Sequence, residues 1–389
     1  MGCLASVVWD ERYLAYDFGD HPLNPVRLDL TIRLARELGV LDDVTIVAPE
    51  PASTEQLLTI HDADYLDAVR QASSDPTFEG YGLGTTDDPV FAGMYDASAL
   101  VAGGSALAAR TLWEGGVEHA VNIAGGLHHA MRDHASGFCI FNDVVLGIRS
   151  LLAAGATRIA YVDVDVHHGD GVQAAFYDDP RVLTISLHQD PRTLFPGTGL
   201  PSEIGRGAAE GTAVNVALPP GTDDAGWLRA FRAVVPGAVR AFRPDVLVTQ
   251  CGCDTHHDDP LANLELTVDG QRAALADLHG LAHDVAGGRW LAFGGGGYGL
   301  VRCVPRTWTH LIAETSGRPV SLDTAIPPGW ATHVRSRGGR PPERMGERSA
   351  PLDVPAWQPG GESWLDRAVA ATRRASFPLL GLDPDDPRD

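Results

Sequence analysis

The run Tyr161-Val-Asp-Val-Asp-Val-His-His-Gly-Asp170 constrains this chain more than any other stretch. Its first half alternates Val162, Val164 and Val166 with other residues and follows Ile159, which reads as a strand. Side chains two apart share one face of a strand, so Asp163, Asp165 and His167 are expected to project together. Two carboxylates and an imidazole in a row suit a metal ion better than they suit solvent. His168, Gly169 and Asp170 then break the strand and carry a further imidazole and carboxylate into a loop. Ligands of open α/β sheets sit at the carboxyl ends of the strands, which is where this run ends. A lone Asp-x-His would read as the polar face of an edge strand. Five ionisable residues within eight positions read as a metal or catalytic site.

The rest of the chain supplies a frame for such a strand. At 389 residues and 44% hydrophobic content it can bury one large α/β core. Strand patterns fall at 4–9, 44–47, 120–123, 158–164, 182–187, 214–217, 245–249 and 290–293. Helical patterns lie between most of them, at 27–38, 96–112, 142–154, 227–241, 271–285 and 305–314, and Ser53 with Gln56 forms a capping box. Alternation of this kind predicts a central, mainly parallel eight-stranded sheet flanked by helices. The catalytic domain is placed at 1–316. Residues 317–389 turn Pro-, Gly- and Arg-rich, with one weak helix near 364–374, and read as an extension draped over the domain or partly disordered.

Composition excludes several classes. The formal charge of −21 argues against nucleic acid, whose phosphates need a basic footprint. The chain has no lysine, so all 30 basic residues are arginine, and phosphate-loop, Schiff-base and pyridoxal chemistry are ruled out. Five scattered cysteines without a C-x-x-C pair read as cytoplasmic thiols, and no apolar run approaches a membrane span. The start, Met1-Gly-Cys-Leu-Ala-Ser6, matches the N-myristoylation pattern, but 4–9 reads as the first strand and no basic cluster follows.

Three more loops follow strands and carry chemistry: Gly125-Gly-Leu-His-His129, Cys251-Gly-Cys-Asp254-Thr-His-His257, and Gly294-Gly-Gly-Gly-Tyr298. All are expected at one edge of the sheet. An open catalytic metal site needs about three protein ligands. Asp165 and His167 supply two, and Asp254 is the best third; such a set accepts Zn²⁺ or Fe²⁺. His128 and His129 beside it form a general-base arrangement, with Asp163 and Asp170 placed to orient imidazoles. Tyr298, presented by four glycines, can stabilise an oxyanion. These parts suffice for a metal-dependent hydrolase of an amide or related bond.

At these residues the chain resembles the histone deacetylase superfamily, most of all its prokaryotic acetoin-utilisation branch. The resemblance is carried by His21-Pro…Pro25-x-Arg27, Gly126-x-His128-His129, Gly137-Phe-Cys139, Asn142-Asp143, Asp163 to Gly171, Ser186-Leu-His188, Phe195-Pro-Gly-Thr-Gly199, Gln250 to Asp254, Asp259-Pro-Leu261 and Gly294 to Tyr298, in that order. It implies a single-domain arginase/deacetylase-like fold and a protein lysine deacetylase. Asp165, His167 and Asp254 would hold zinc. His129 would be the principal general base, His128 its electrostatic partner and Tyr298 the oxyanion donor, with Asp163 and Asp170 paired to the imidazoles. Gly137, Phe138, Phe195 and Leu261 would line a tunnel for acyl-lysine, Asp87 would hold substrate backbone, and Arg27 would lie on the acetate channel. Two K⁺ sites are implied: Asp163, Asp165, His167, Ser186 and Leu187; and Phe176, Asp179, Val182 and Thr212. The His256-His257 pair is placed at the rim. Acetylated proteins or peptides, an acyl-CoA synthetase and a second copy of the chain are the implied partners.

Three other readings use the same residues. An acetylpolyamine amidohydrolase would turn this chemistry on a small cationic amine. A binuclear manganese, arginase-like hydrolase needs further bridging aspartates, and Asp254 is followed by Thr255 and His256 instead. A non-catalytic acetyl-lysine binding protein would need neither His129 nor Tyr298.

Overall fold

The computed structural model describes residues 3–42, 44–348 and 351–389; Met1 and Gly2, on which the myristoylation match rests, lie outside them. Among the described residues eight strands form one sheet: β1 (Ala5–Val8), β2 (Thr45–Val47), β3 (His119–Asn122), β4 (Ile159–Asp163), β5 (Val182–Gln189), β6 (Ala213–Leu218), β7 (Val246–Gln250) and β8 (Trp290–Phe293). Their order is β2-β1-β3-β8-β7-β4-β5-β6, and every adjacent pair is parallel, so the expected sheet is wholly rather than mainly parallel. Parallel strands demand long crossovers and cover on both faces, and the buried apolar residues of β4, β5 and β7 answer that demand.

Among the described residues the helices are α1 (Val26–Glu37), α2 (Thr54–Leu57), α3 (Ala63–Ala72), α4 (Met94–Trp113), α5 (Asp143–Ala153), α6 (Asp170–Phe176), α7 (Asp224–Phe242), α8 (Val268–Val285), α9 (Val304–Thr315), α10 (Pro328–Ser336) and α11 (Trp364–Leu380). One layer runs α3, α4, α5, α6 and the other α1, α9, α8, α7, α11, each helix touching the next. Sequence reading has no helix at α3, α6 or α10. Helix α3 is short, and its buried Tyr65, Leu66, Val69 and Ala72 are interspersed with charges. Helix α6 starts where a loop was expected, with Asp170 in its first turn. Helix α10 begins on prolines, which are acceptable there because the first N–H groups have no intrahelical partner.

The extension packs on both ends of that second layer. Trp330 of α10 is fully buried with Leu30, Leu34 and Met345, and its Nε1–H donates to the Leu30 carbonyl at 2.9 Å. On α11, Thr372 donates to the Asn215 carbonyl of β6 at 2.6 Å. Beside it the buried Arg373 guanidinium lies 4.6 Å from the Trp357 ring and 4.2 Å from Phe377.

The strand order positions the chemistry. The loops of interest follow β3, β8, β7 and β4, which are consecutive neighbours across the sheet although far apart in sequence. Register aligns Asn122, Phe293, Gln250, Asp163 and Ser186 in one row at the carboxyl edge. The four loops therefore leave the sheet side by side at one level.

Candidate active site

Strand β4 ends at Asp163, so Asp165 and His167 lie beyond it in irregular chain rather than along one strand face. The reason is local competition for backbone donors. The Asp163 carboxylate accepts the Asp165 N–H at 3.1 Å, and the Asp165 carboxylate accepts the His167 N–H at 3.0 Å. These side-chain bonds replace the ladder and fold the segment over the sheet edge. Asp165, His167 and Asp254 meet there, all buried, with donor atoms within 4.8 Å of one another. His167 Nδ1 stands 3.1 Å from both Asp165 Oδ1 and Asp254 Oδ2.

The remaining carboxylate oxygens are spoken for. Asp165 Oδ2 accepts the Gln250 amide at 2.7 Å and the Gly296 N–H at 2.8 Å, while Asp254 Oδ1 accepts the Val166 N–H at 2.9 Å. Glycine is required at 296, because a Cβ would stand 2.0 Å from Asp254 Oδ2. Two buried carboxylates this close repel, and in the protein alone burial and the Asp165 charge push Asp254 up to about 8. A divalent cation answers that repulsion, and an open Asp₂His donor set fits Zn²⁺ or Fe²⁺.

The loop after β3 lays two imidazoles beside these groups. His128 Nδ1 bonds Asp163 at 2.7 Å and His129 Nδ1 bonds Asp170 at 2.7 Å, leaving their Nε2 atoms 3.1 Å apart. Burial opposes charge on both rings. For His128 the nearby Asp163 and Asp165 outweigh burial and lift its pKa to about 9; for His129 burial, reinforced by His128, lowers it to about 4. In the protein alone these surroundings favour the charged form of His128 and the free base of His129. Tyr161 donates to Asp163 at 2.5 Å.

Several positioning residues had no role assigned from the sequence. Asp143 accepts the N–H groups of Gly126 and Leu127 at 3.1 and 2.8 Å, and Asn142, besides capping α5, donates to the His128 and Ala130 carbonyls at 3.2 and 2.9 Å. Asp259 accepts the Tyr298 N–H at 2.8 Å. The sequence placed Asn142, Asp143 and Asp259 in segments that carry the family resemblance, but nothing in it told what each one bonds.

A cavity of about 200 Å³ leads to this floor, lined by Asp87, His129, Gly137, Phe138, His167, Leu194, Phe195, Leu261 and Tyr298. All five expected substrate-contacting residues are in its wall. Gly137 adopts φ +54°, and a Cβ there would strike His129 at 2.6 Å. The Tyr298 ring packs edge-on against Phe138 at 5.7 Å, and Phe195 edge-on against His129 at 5.0 Å. Arg27 is buried behind the glycine loop, donating to the Gly295 and Gly297 carbonyls at 2.9 and 3.1 Å.

The other expectations are spread more widely. Ser186 pairs with Asp163 across β4 and β5, but its hydroxyl bonds His188 at 2.8 Å. Leu187 is inside β5, Val182 begins it, Phe176 ends α6, and Thr212 precedes β6. The Asp179 carboxylate is engaged by Arg181, 2.6 Å from Nη2. His256 is not at the rim: it is buried against Glu347 of the extension at 3.0 Å, and only His257 reaches solvent. The five cysteines are free. No helix among the described residues is long and apolar enough to cross a membrane.

Residues 21–315 match the family described as the histone deacetylase domain. The chain is 42% identical over 328 residues to the acetoin utilization protein AcuC of Bacillus subtilis (strain 168), covering 83% of this chain and 84% of that one. It is 37% identical over 320 residues to the AcuC of Staphylococcus aureus (strain MSSA476), covering 81% and 82%, and 35% identical over 330 residues to that of Staphylococcus xylosus, covering 84% and 86%.

Proposed function

The chain belongs to the histone deacetylase family and is an amide-hydrolysing deacetylase, and from that premise we propose that it removes acetate from Nε-acetyl-lysine in proteins or peptides. The observation that carries this reading is a cavity of about 200 Å³ with His129, Tyr298 and His167 in its wall, the last of which clusters with Asp165 and Asp254. An extended, neutral acyl-lysine side chain fits such a passage while its backbone stays outside.

When bound by Asp165, His167 and Asp254, a zinc or ferrous ion supplies Lewis-acid polarisation of the amide carbonyl and acidifies water. His129 Nε2 takes the proton of the attacking water and then delivers it to the departing lysine nitrogen, so acetate and a free amine result. Asp170 holds His129 through Nδ1, which keeps the lone pair on Nε2. His128, a cation against Asp163, opposes a second proton on His129 and offsets negative charge in the site. Burial, followed by the charges of Asp254 and Asp165, keeps the Tyr298 hydroxyl protonated well above its usual range, so it remains a donor to the developing oxyanion.

Arg27 would attract acetate behind the glycine loop, and Asp87 would hold substrate N–H groups at the mouth. K⁺ would bind at Asp163, Asp165, His167, Ser186 and Leu187. A second K⁺ at Phe176, Asp179, Val182 and Thr212 would rest on main-chain carbonyls, since Arg181 already engages Asp179. The partners would be acetylated proteins, an acyl-CoA synthetase among them.

The test is Tyr298→Phe. Metal content and KM for an acetyl-lysine peptide should be unchanged while kcat falls about 10²–10³-fold, because the hydroxyl acts only as charge develops. An unchanged kcat would overturn the assignment.

A further inference from the structure

Strand β3 begins at His119, at the end of the sheet opposite the active site, and three other metal-binding side chains surround that residue. Cys3 precedes β1, and His279 and His283 stand one turn apart on α8. All four can offer one donor atom within 4.8 Å of the others. Cys3 Sγ lies 3.7 Å from His279 Nε2 and 3.6 Å from His283 Nε2, and those two nitrogens are 3.1 Å apart. Tetrahedral zinc with ordinary Zn–S and Zn–N bonds puts its ligands roughly 3.6 Å apart for sulfur to nitrogen and roughly 3.3 Å for nitrogen to nitrogen. The spacing matches before any ion is added.

The second observation is the state of His119. It is fully buried, and its Nδ1–H donates to the Thr315 carbonyl at 2.6 Å, which fixes the tautomer with the lone pair on Nε2. That Nε2 is buried and has no hydrogen-bond partner among the described residues. A core histidine satisfied by the protein alone would not leave a buried acceptor orphaned among two imidazoles and a thiol. The His119 ring meets His279 and His283 edge-on, at 4.8 and 5.1 Å. Glu314 Oε2 lies 3.8 Å from His279 Nδ1, the place where a carboxylate behind a ligating imidazole orients it.

We propose that Cys3, His119, His279 and His283 form a second metal site, a closed Cys·His₃ centre for Zn²⁺ or a similar borderline transition ion. Four protein donors leave no open position, so the centre is structural rather than catalytic. It would clip the N-terminal segment, whose Cys3 N–H already bonds the Ser316 carbonyl at 3.1 Å, to β3 and α8. A thiolate and three neutral imidazoles around a dication leave one positive charge, and Glu118 and Glu314 lie close enough to offset it.

Sulfur makes the site separable from the active site, whose donors are two carboxylates and an imidazole. The metal-stripped full-length protein is titrated with Co²⁺ and examined for thiolate-to-cobalt charge-transfer absorption, then counted for Zn²⁺. The expected result is the sulfur band in both the unsubstituted protein and Asp254→Ala, and its loss in Cys3→Ser. Zinc should fall from two ions per chain to one in His283→Ala, with acetylamide turnover retained; His283 is exposed, so its removal leaves the core intact. Absence of the band in the unsubstituted protein, or its survival in Cys3→Ser, would overturn the proposal. So would a zinc count that His283→Ala leaves unchanged.

Discussion

Replacing Asp88 by asparagine is expected to stabilise the protein, and by more as the pH rises. Asp88 is 1% exposed, yet its Oδ1 has no hydrogen-bond partner among the described residues. Its other support is the Phe138 N–H, which an asparagine carbonyl can also accept. Burial, with the charge of Asp87 added, pushes Asp88 from 3.8 up to about 8. Around it stand Tyr16, Tyr65 and Cys139, each itself raised well above its ordinary value by burial, so none offers a compensating charge. In the folded protein the proton is retained between about pH 4 and 8, whereas the unfolded chain has lost it. Stability therefore declines as pH rises through that window, and the full penalty stands above it. At about 1.4 kcal/mol per tenfold, the upper limit is about 6 kcal/mol above pH 8 and about 3 kcal/mol at pH 6. Loop relaxation and water entry reduce these, so a gain of about 2–4 kcal/mol is expected at pH 9 and about half that at pH 6. Urea unfolding of both proteins at the two pH values reads it, as a midpoint shift with unchanged slope. A gain of zero, or one equal at pH 6 and pH 9, would refute the reasoning.

Three further outcomes follow from the geometry. Asp254→Ala removes one of three ligands and should abolish tight binding at the active-site metal together with turnover, read by metal analysis and acetate release. Asp87→Ala should weaken use of acetyl-lysine peptides by about 1–3 kcal/mol in kcat/KM while leaving a minimal acetylamide nearly unaffected; equal effects on both would show that Asp87 does not hold substrate backbone. Trp330→Ala should lower stability by about 3–5 kcal/mol, the usual range for emptying a buried tryptophan site, and a thermal scan checks it; a negligible change would show that α10 contributes little to the fold.

The strands were legible because a parallel sheet buried on both faces writes itself as apolar runs, and each of the eight was located within two residues at either end. The ligand motif was legible because Asp165 and His167 are so close in sequence, and Asp254 because it follows a strand. What the sequence did not show was how the chain leaves β4: bonds from Asp163 and Asp165 to backbone donors end the strand early, and nothing in the alternation of valines reveals that. Asn142 looked like an ordinary cap, since its bonds to the His128 and Ala130 carbonyls exist only once α5 sits under the β3 loop. His119, His279 and His283 were invisible for the same reason: 160 positions separate the first two, and only the pairing of β3 with β8, into which α8 leads, brings α8 beside His119.

The most direct measurement compares kcat/KM of the purified, metal-loaded protein for acetyl-lysine peptides with that for acetylated putrescine and spermidine. An apolar tunnel with its acidic residue at the mouth should favour the peptides, and Asp87→Ala should erode that preference. A large preference for the acetylated polyamines, unaltered by Asp87→Ala, would contradict lysine deacetylation and make the protein a small-amine amidohydrolase.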